Sequence, residues 1–270
     1  MLAQLRVPWA FIVRDFRIDS SYMIGFVLRI ASVLLNVTIY YFIASVFGDT
    51  AARYLKDYGG NYFAFVVIGV AFSDYLDLGI SSISDCIREG QTMGTLELML
   101  LSPTRLLVVL LSSSLWSYIF ATIRTTAYLV IGAALGMHLG AANIGSAVVS
   151  LLVAVVSFNA LGLFAASLVI LMKRGTPLSW AIRISSMMLG GVYYPVAVLP
   201  DWLRTAGQLL PLTHALELMR RSLLLGEGLQ QLWPELLALI GITAVLFPLG
   251  VLACHLAINV ARTDGSLSHY

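Results

Sequence analysis

Two aspartates lie inside a long apolar stretch of the sequence and are the first candidates for chemistry. Asp74 and Asp77 are followed at helical spacing by Ser81, Ser84 and Asp85. This spacing places all five polar side chains on one face of a helix. A carboxylate in hydrocarbon is costly, so this face should meet protein, a partner or water rather than lipid.

Basic partners for these carboxylates occur in other apolar segments. Arg124 lies near the middle of a later segment and suits Asp74, while Arg29 and Arg183 lie at a depth that suits Asp77. Two interpretations stay open. The charged groups either belong to a translocation path or proton relay, or they form interhelical ion pairs that fix the packing.

The sequence lacks the usual constellations of an enzyme. Its only lysines, Lys56 and Lys173, do not follow a glycine, so the chain cannot form a P-loop for ATP. It contains no Gly-x-Ser-x-Gly motif for a nucleophilic serine. We therefore expect no catalytic residue, metal or cofactor in this chain. Neither metal-ligand nor disulfide spacing occurs among the remaining candidates, which are His138, His214, His255, His269, Cys86 and Cys254.

Composition places the chain in a membrane. Hydrophobic residues make up 59% of its 270 residues, charged residues only 11%, and the mean hydropathy is +0.90. A soluble domain carries about 25% charged residues, because it must cover its surface with polar groups. The formal net charge of +2 gives no reason to expect a nucleic-acid partner. The sequence predicts an all-α, polytopic membrane protein.

Six segments are long and apolar enough to cross the bilayer as helices, since about twenty apolar residues span the hydrocarbon. No soluble domain fits between them, so we expect a single transmembrane domain over residues 1–270. The predicted spans are 22–47, 62–84, 106–137, 144–172, 178–199 and 234–260.

Residues 1–21 have the pattern of an amphipathic helix that lies in the membrane interface. Its apolar positions recur at helical spacing opposite a basic face. The apolar side is formed by Leu5, Trp9, Ile12, Val13 and Phe16, and the basic side by Arg6, Arg14 and Arg17.

Lysine and arginine predict the orientation of the spans. With the N-terminus inside, the inside loops carry more of these residues than the outside loops, which is the distribution that cytoplasmic loops show. We therefore expect both termini in the cytoplasm and the chain in the plasma (inner) membrane.

Residues 200–225 are unusual for an external loop. They form two apolar stretches that begin at Pro200 and Pro211, and each is too short to cross the bilayer. Proline is favourable in the first turn of a helix. We expect a re-entrant helical hairpin between spans five and six, and the alternative is a pair of helices lying flat on the membrane.

Two stretches resemble a known family. Residues 88–103 read REGQTMGTLELMLLSP and residues 191–220 read GVYYPVAVLPDWLRTAGQLLPLTHALELMR. Together with the amphipathic N-terminal helix and six spans, they resemble the type-2 ATP-binding-cassette (ABC) export permeases. The resemblance implies that 88–98 is a cytoplasmic coupling helix that docks on a separate ATPase. Its contacts would be Arg88, Glu89, Thr92, Gly94, Thr95 and Glu97, with Leu96 as the apolar anchor.

The same resemblance implies the remaining parts of a transporter. The hairpin 200–225 would close the outer end of the pathway through Pro200, Trp202, Pro211, His214 and Glu217. Two cytosolic ABC ATPase subunits would bind ATP and Mg²⁺, and a second permease chain, identical or paralogous, would complete the complex among membrane lipids. The function implied is outward movement of a hydrophobic or amphipathic substrate, such as a lipid, glycolipid or drug. The alternative function is a secondary transporter that uses an ion gradient through Asp74 and Asp77.

Overall fold

The computed structural model describes residues 2–95, 99, 101, 104, 106–140, 142–172 and 176–263. Within these ranges every regular element is helical, as the apolar periodicity predicts. Leu96 and Glu97 of the predicted coupling helix lie outside the described residues.

The first third of the chain forms three long helices. Helix α1 (Leu2–Ser21) is followed by α2 (Met23–Ala52), a 3₁₀ turn at Lys56–Tyr58 and α3 (Tyr62–Thr92). The side-chain oxygen of Asn61 accepts a hydrogen bond from the Ala64 N–H (3.1 Å) and caps the start of α3. Helix α3 continues well past residue 84, where its span was predicted to end.

The third predicted span, 106–137, is two helices rather than one. Helix α4 (Leu106–Ser113) and helix α5 (Leu115–Ala134) meet at Ser114. The hydroxyls of Ser113 and Ser114 donate to the carbonyls three residues earlier, at 2.8 and 2.9 Å. Such bonds compete with the backbone ladder and bend a helix, which accounts for the interruption.

The fourth and sixth predicted spans are continuous helices. Helix α6 (Ile144–Met172) has the predicted limits, whereas α10 (Leu229–Thr263) starts before residue 234 and continues past 260. The two helices pack along each other, and α6 also packs on α3. Helix α3 is the most buried of the long helices, and α2 and α10 expose most of their apolar surface.

The fifth predicted span, 178–199, is wrong in its outer half. Helix α7 (Thr176–Leu189) ends ten residues early, because the chain turns at Gly190 and Gly191, and Gly191 has φ +78°. Only glycine adopts this region readily. The two glycines lie inside the predicted span and end the helix, and a 3₁₀ turn at Val196–Val198 follows.

Two short helices follow, as predicted for the hairpin. Helix α8 (Asp201–Gln208) and helix α9 (Pro211–Arg220) have 8 and 10 residues, and a π-helical turn (Arg221–Leu225) continues α9. Pro211 is the first residue of α9, where its missing N–H costs nothing. Neither helix is long enough to cross a bilayer; their insertion into the membrane stays a prediction.

Five helices among the described residues are long and apolar enough to cross a membrane. Helix α7, with 14 residues, is not one of them, so the count of six spans is not confirmed. The five candidate segments are Val27–Gly48, Tyr62–Gly90, Leu107–Ala134, Ile144–Ile170 and Leu229–Val260.

Candidate functional site

The structure brings Asp74 and Arg124 together between α3 and α5. Arg124 Nη2 lies 2.7 Å from Asp74 Oδ2, and the two side chains are 25% and 20% exposed. A second polar contact lies beside this ion pair, because the Tyr75 hydroxyl donates to Thr122 Oγ1 at 3.1 Å. The ion pair, these hydroxyls and a hydrogen bond from Thr125 Oγ1 to the Ala71 carbonyl (3.2 Å) join the two helices.

Asp77 meets Arg183 of α7 rather than Arg29. Arg183 Nε lies 3.6 Å from Asp77 Oδ1, and the side chains are 40% and 33% exposed. This separation is longer than a hydrogen bond. Both groups are therefore reachable from outside the helix bundle, in contrast to the closer pair at Asp74.

Arg29 is placed against the N-terminal helix instead. Its Nη1 lies 3.5 Å from Asp19 Oδ2, and the same oxygen accepts a 2.7 Å hydrogen bond from the indole N–H of Trp116. The ring of Phe16 packs edge-on against Trp116, with centroids 5.2 Å apart. Asp19 therefore ties α1 to α2 and α5. The sequence offered only a weak signal for this role, an acidic residue near the end of a basic amphipathic helix.

The residues of the predicted coupling segment that the structure describes form the exposed end of α3. Arg88, Glu89 and Thr92 belong to α3 itself, so no separate helix begins at Arg88. The helix ends because Gly94 takes φ +67° and the Thr95 N–H bonds back to the Gly90 carbonyl at 2.8 Å. The segment after Thr95 that carries Leu96 and Glu97 lies outside the described residues.

A cavity of about 670 Å³ with a mixed polar and apolar lining lies beside this end of α3, between α1 and α5. It places the end of α3 next to the N-terminal helix. Residues from these helices line it, among them Arg14, Asp15, Asp19, Asp85, Glu89 and Trp116.

At the opposite end of α3, helix α9 is held by two of the predicted gate residues. His214 Nδ1 lies 2.7 Å from Glu235 Oε2 on α10, and its Nε2 lies 2.8 Å from the Gln208 carbonyl of α8. Glu217 accepts a 2.5 Å hydrogen bond from the Tyr58 hydroxyl. Burial, with the Glu217 carboxylate beside it, raises the pKa of Tyr58, so the phenol stays a donor.

The remaining predicted gate residues have fewer contacts. Pro200 precedes the first residue of α8 in an extended conformation. Trp202 is 73% exposed, and it is available to a membrane surface or another chain. Pro211 is buried at the start of α9.

Arg220 is a functional candidate that was not among the site residues predicted from the sequence. It is 3% exposed, its guanidinium lies 3.4 Å from the Phe65 ring centroid, and it donates to the Phe65 and Val192 carbonyls at 3.1 to 3.3 Å. Burial lowers the pKa of Arg220 to about 10, so the group remains charged at neutral pH. It links α9 to α3 and to the turn after α7. The only sign of this role in the sequence is that Arg220 follows an apolar stretch.

Comparison with known proteins gives the geometry a family context. A search of curated proteins finds no match. A family model described as ABC-2 type transporter matches residues 9–224. The matched region runs from α1 to the π-helical turn and contains the ion pairs, the exposed end of α3 and the helices α8 and α9. Because it includes most of the chain, the chain belongs to the ABC-2 type transporter family.

Proposed function

We propose that this chain is the permease subunit of an ATP-driven ABC exporter and moves a hydrophobic or amphipathic substrate outward. Permeases of the ABC-2 family are transmembrane subunits without a nucleotide site of their own, and they work with an ABC ATPase subunit. ATP and Mg²⁺ would therefore bind to two partner ATPases, and a second permease chain would complete the pathway.

The observation that carries this proposal is the continuity of α3. Its 31 residues extend about 46 Å as one helix. The exposed end holds Arg88 and Glu89, and the ion pairs of Asp74 and Asp77 lie further along the same helix. A displacement at the end that an ATPase would contact is therefore carried directly to the charged groups.

The other end of α3 supports an alternating pathway. There, Arg220 of α9 bonds to the Phe65 carbonyl, and Glu217 accepts from Tyr58 in the turn that precedes α3. Helix α3 thus contacts the proposed outer gate as well as carrying the proposed ATPase contact. Many transporters alternate access by rigid-body rocking of one group of helices against another, and a helix that contacts both ends can take part in such a movement.

Co-purification with a candidate ABC ATPase tests the proposal. Replacing Glu89, Leu96 and Glu97 by alanine should reduce ATPase association and substrate-stimulated hydrolysis by about tenfold or more, because each position belongs to the proposed contact. His138→Gln, in the exposed loop after α5, is the control and should change neither quantity. Intact association in the triple variant would rule out the assignment of this segment.

The alternative, a gradient-driven carrier, is tested separately. Such a carrier needs an intramembrane carboxylate that gains and loses a proton during transport, and Asp74 and Asp77 are the candidates. Transport by the isolated chain in vesicles with an imposed proton gradient would overturn ATP coupling. We expect no transport in that experiment.

A further inference from the structure

The two ion pairs of α3 differ in distance and in exposure, and this difference indicates different roles. Arg124 and Asp74 approach to 2.7 Å and are mostly buried. Arg183 and Asp77 are 3.6 Å apart, and a third or more of each side chain is exposed. A pair at that distance makes a weak mutual contact and leaves donors and acceptors for a third party.

The depth of the Asp77–Arg183 pair in the membrane limits what its exposed side chains can contact. Asp77 lies about 22 Å along α3 from Tyr62, and the hydrocarbon core is about 30 Å thick. With Tyr62 at the outer side, Asp77 and Arg183 lie in the inner half of the membrane. Exposed charges at that depth cannot face acyl chains without a large cost. This face of α3 and α7 must therefore contact polar groups rather than acyl chains.

The side chains offer both signs of charge and an aromatic ring. Arg183 presents a planar guanidinium that suits a phosphate or carboxylate, and Asp77 can accept from an amine. Trp180 precedes Arg183 by three residues on α7, so the two share a helix face, and its side chain is 56% exposed. An indole face attracts an alkylated or protonated amine.

We propose that Asp77 and Arg183 bind the headgroup of a zwitterionic amphiphile from the inner leaflet, with its anionic group on Arg183 and its amine on Asp77. This assignment rests on the proposed export function and names its substrate class. Asp74 and Arg124 hold α3 against α5 and do not contact the substrate.

Binding of four amphiphiles with the same twelve-carbon chain tests the assignment on the purified full chain in a nonionic detergent. The probes are a lysophosphatidylethanolamine (zwitterionic), dodecyl phosphate (anionic), dodecylamine (cationic) and dodecylglycerol (uncharged), each isotope-labelled for equilibrium binding. The zwitterion should bind about tenfold more tightly than the other three, because only it satisfies both charges. Equal binding of all four would overturn the proposal.

The decisive variant is D77N/R183Q, which removes both charges and leaves neither partner unpaired. It should abolish the preference for the zwitterion, whereas Asp201→Asn should retain it. A preference that survives in D77N/R183Q would overturn the site. So would binding of free phosphoethanolamine with the affinity of the amphiphile, because the acyl chain would then contribute nothing.

A second copy of the chain is the other occupant of this face that the experiment detects. If D77N/R183Q converts a dimer to a monomer in sedimentation while the headgroup preference is unchanged, the face is a subunit interface and the proposal is wrong. These measurements need no ATPase. Failure of ATPase association therefore contradicts the exporter, and failure of headgroup selection contradicts only the site.

Discussion

Arg124 on α5 lies 2.7 Å from Asp74 on α3, and this contact joins two helices in the apolar interior of the chain. Asp74 lies about 18 Å along α3 from Tyr62, in the middle part of the candidate membrane-spanning segment Tyr62–Gly90. At that depth each charge needs the other. The pair therefore has a structural role that can be measured apart from transport.

Asp74→Asn should destabilise the chain by about 3 kcal/mol, because it leaves the Arg124 guanidinium without its partner. This is the lower end of the cost of breaking a buried pair, about 3–5 kcal/mol, since a fifth to a quarter of each side chain is exposed. Thermal unfolding in mild detergent measures the loss.

The doubly neutral variant D74N/R124Q is the control for the Asp74 prediction. It should lose clearly less than the sum of the two single variants, because no unpaired charge remains. Strict additivity would mean that the two side chains do not stabilise each other, and would contradict the structural role.

Gly69→Ala should destabilise the junction between α3 and the turn after α7. A Cβ at Gly69 would overlap the Val192 carbonyl oxygen and lie 2.6 Å from Arg220 Nη2. Overpacking of this kind costs about 1–3 kcal/mol. Gly241→Ala in α10 is the matched control, because its Cβ would meet nothing within 4 Å.

The control glycine should behave in the opposite way. Alanine in a helix interior is favoured over glycine by about 1 kcal/mol, so Gly241→Ala should hold or raise the unfolding temperature. If both variants shifted that temperature equally, the close approach at Gly69 would not be a feature of the folded chain.

The depth of a charged residue along its helix could be predicted from the sequence. Which neighbouring helix that residue faces could not. Counting residues in apolar segments brought Asp74 to the level of Arg124, because rise per residue is constant. The same counting offered Arg29 and Arg183 equally to Asp77. Only the packing of α1, whose Asp19 accepts from Trp116 and lies beside Arg29, removes Arg29 from the choice.

The sequence contains the glycines at which the backbone changes direction, but it does not show how the chain continues after them. Gly190 and Gly191 lie inside the predicted span 178–199, yet α7 ends there, and the Val192 carbonyl after them accepts a hydrogen bond from Arg220, which lies far along the chain. That contact joins residues far apart in the chain, so no local sequence pattern predicts it. Arg220 is buried where it makes this contact, which the sequence did not indicate.

His214→Gln should loosen α9 from its neighbours. The imidazole contacts the Glu235 carboxylate and the Gln208 carbonyl from its two nitrogens, and a glutamine amide does not reproduce that geometry. Hydrogen bonds of this kind contribute about 1.5–3 kcal/mol when a charged partner is involved. Amide hydrogen exchange in α8 and α9 should accelerate correspondingly.

His138→Gln serves as the comparison for the His214 variant, because His138 is exposed in the loop after α5. Its exchange pattern should match that of the unmodified chain. Unchanged exchange of α9 in His214→Gln would show that the two contacts do not hold the helix.

Trp116→Phe should release the N-terminal helix without disturbing the bundle. Phenylalanine keeps a ring for the edge-on contact with Phe16 but loses the indole N–H that donates to Asp19 at 2.7 Å. A hydrogen bond to a carboxylate contributes about 1.5–3 kcal/mol, so exchange of the α1 amides should rise by roughly tenfold or more, while exchange in α3 and α6 stays unchanged. Trp233→Phe replaces an exposed tryptophan on α10 and should alter neither region. Faster exchange throughout the Trp116 variant would mean that this indole supports the whole bundle rather than the attachment of α1.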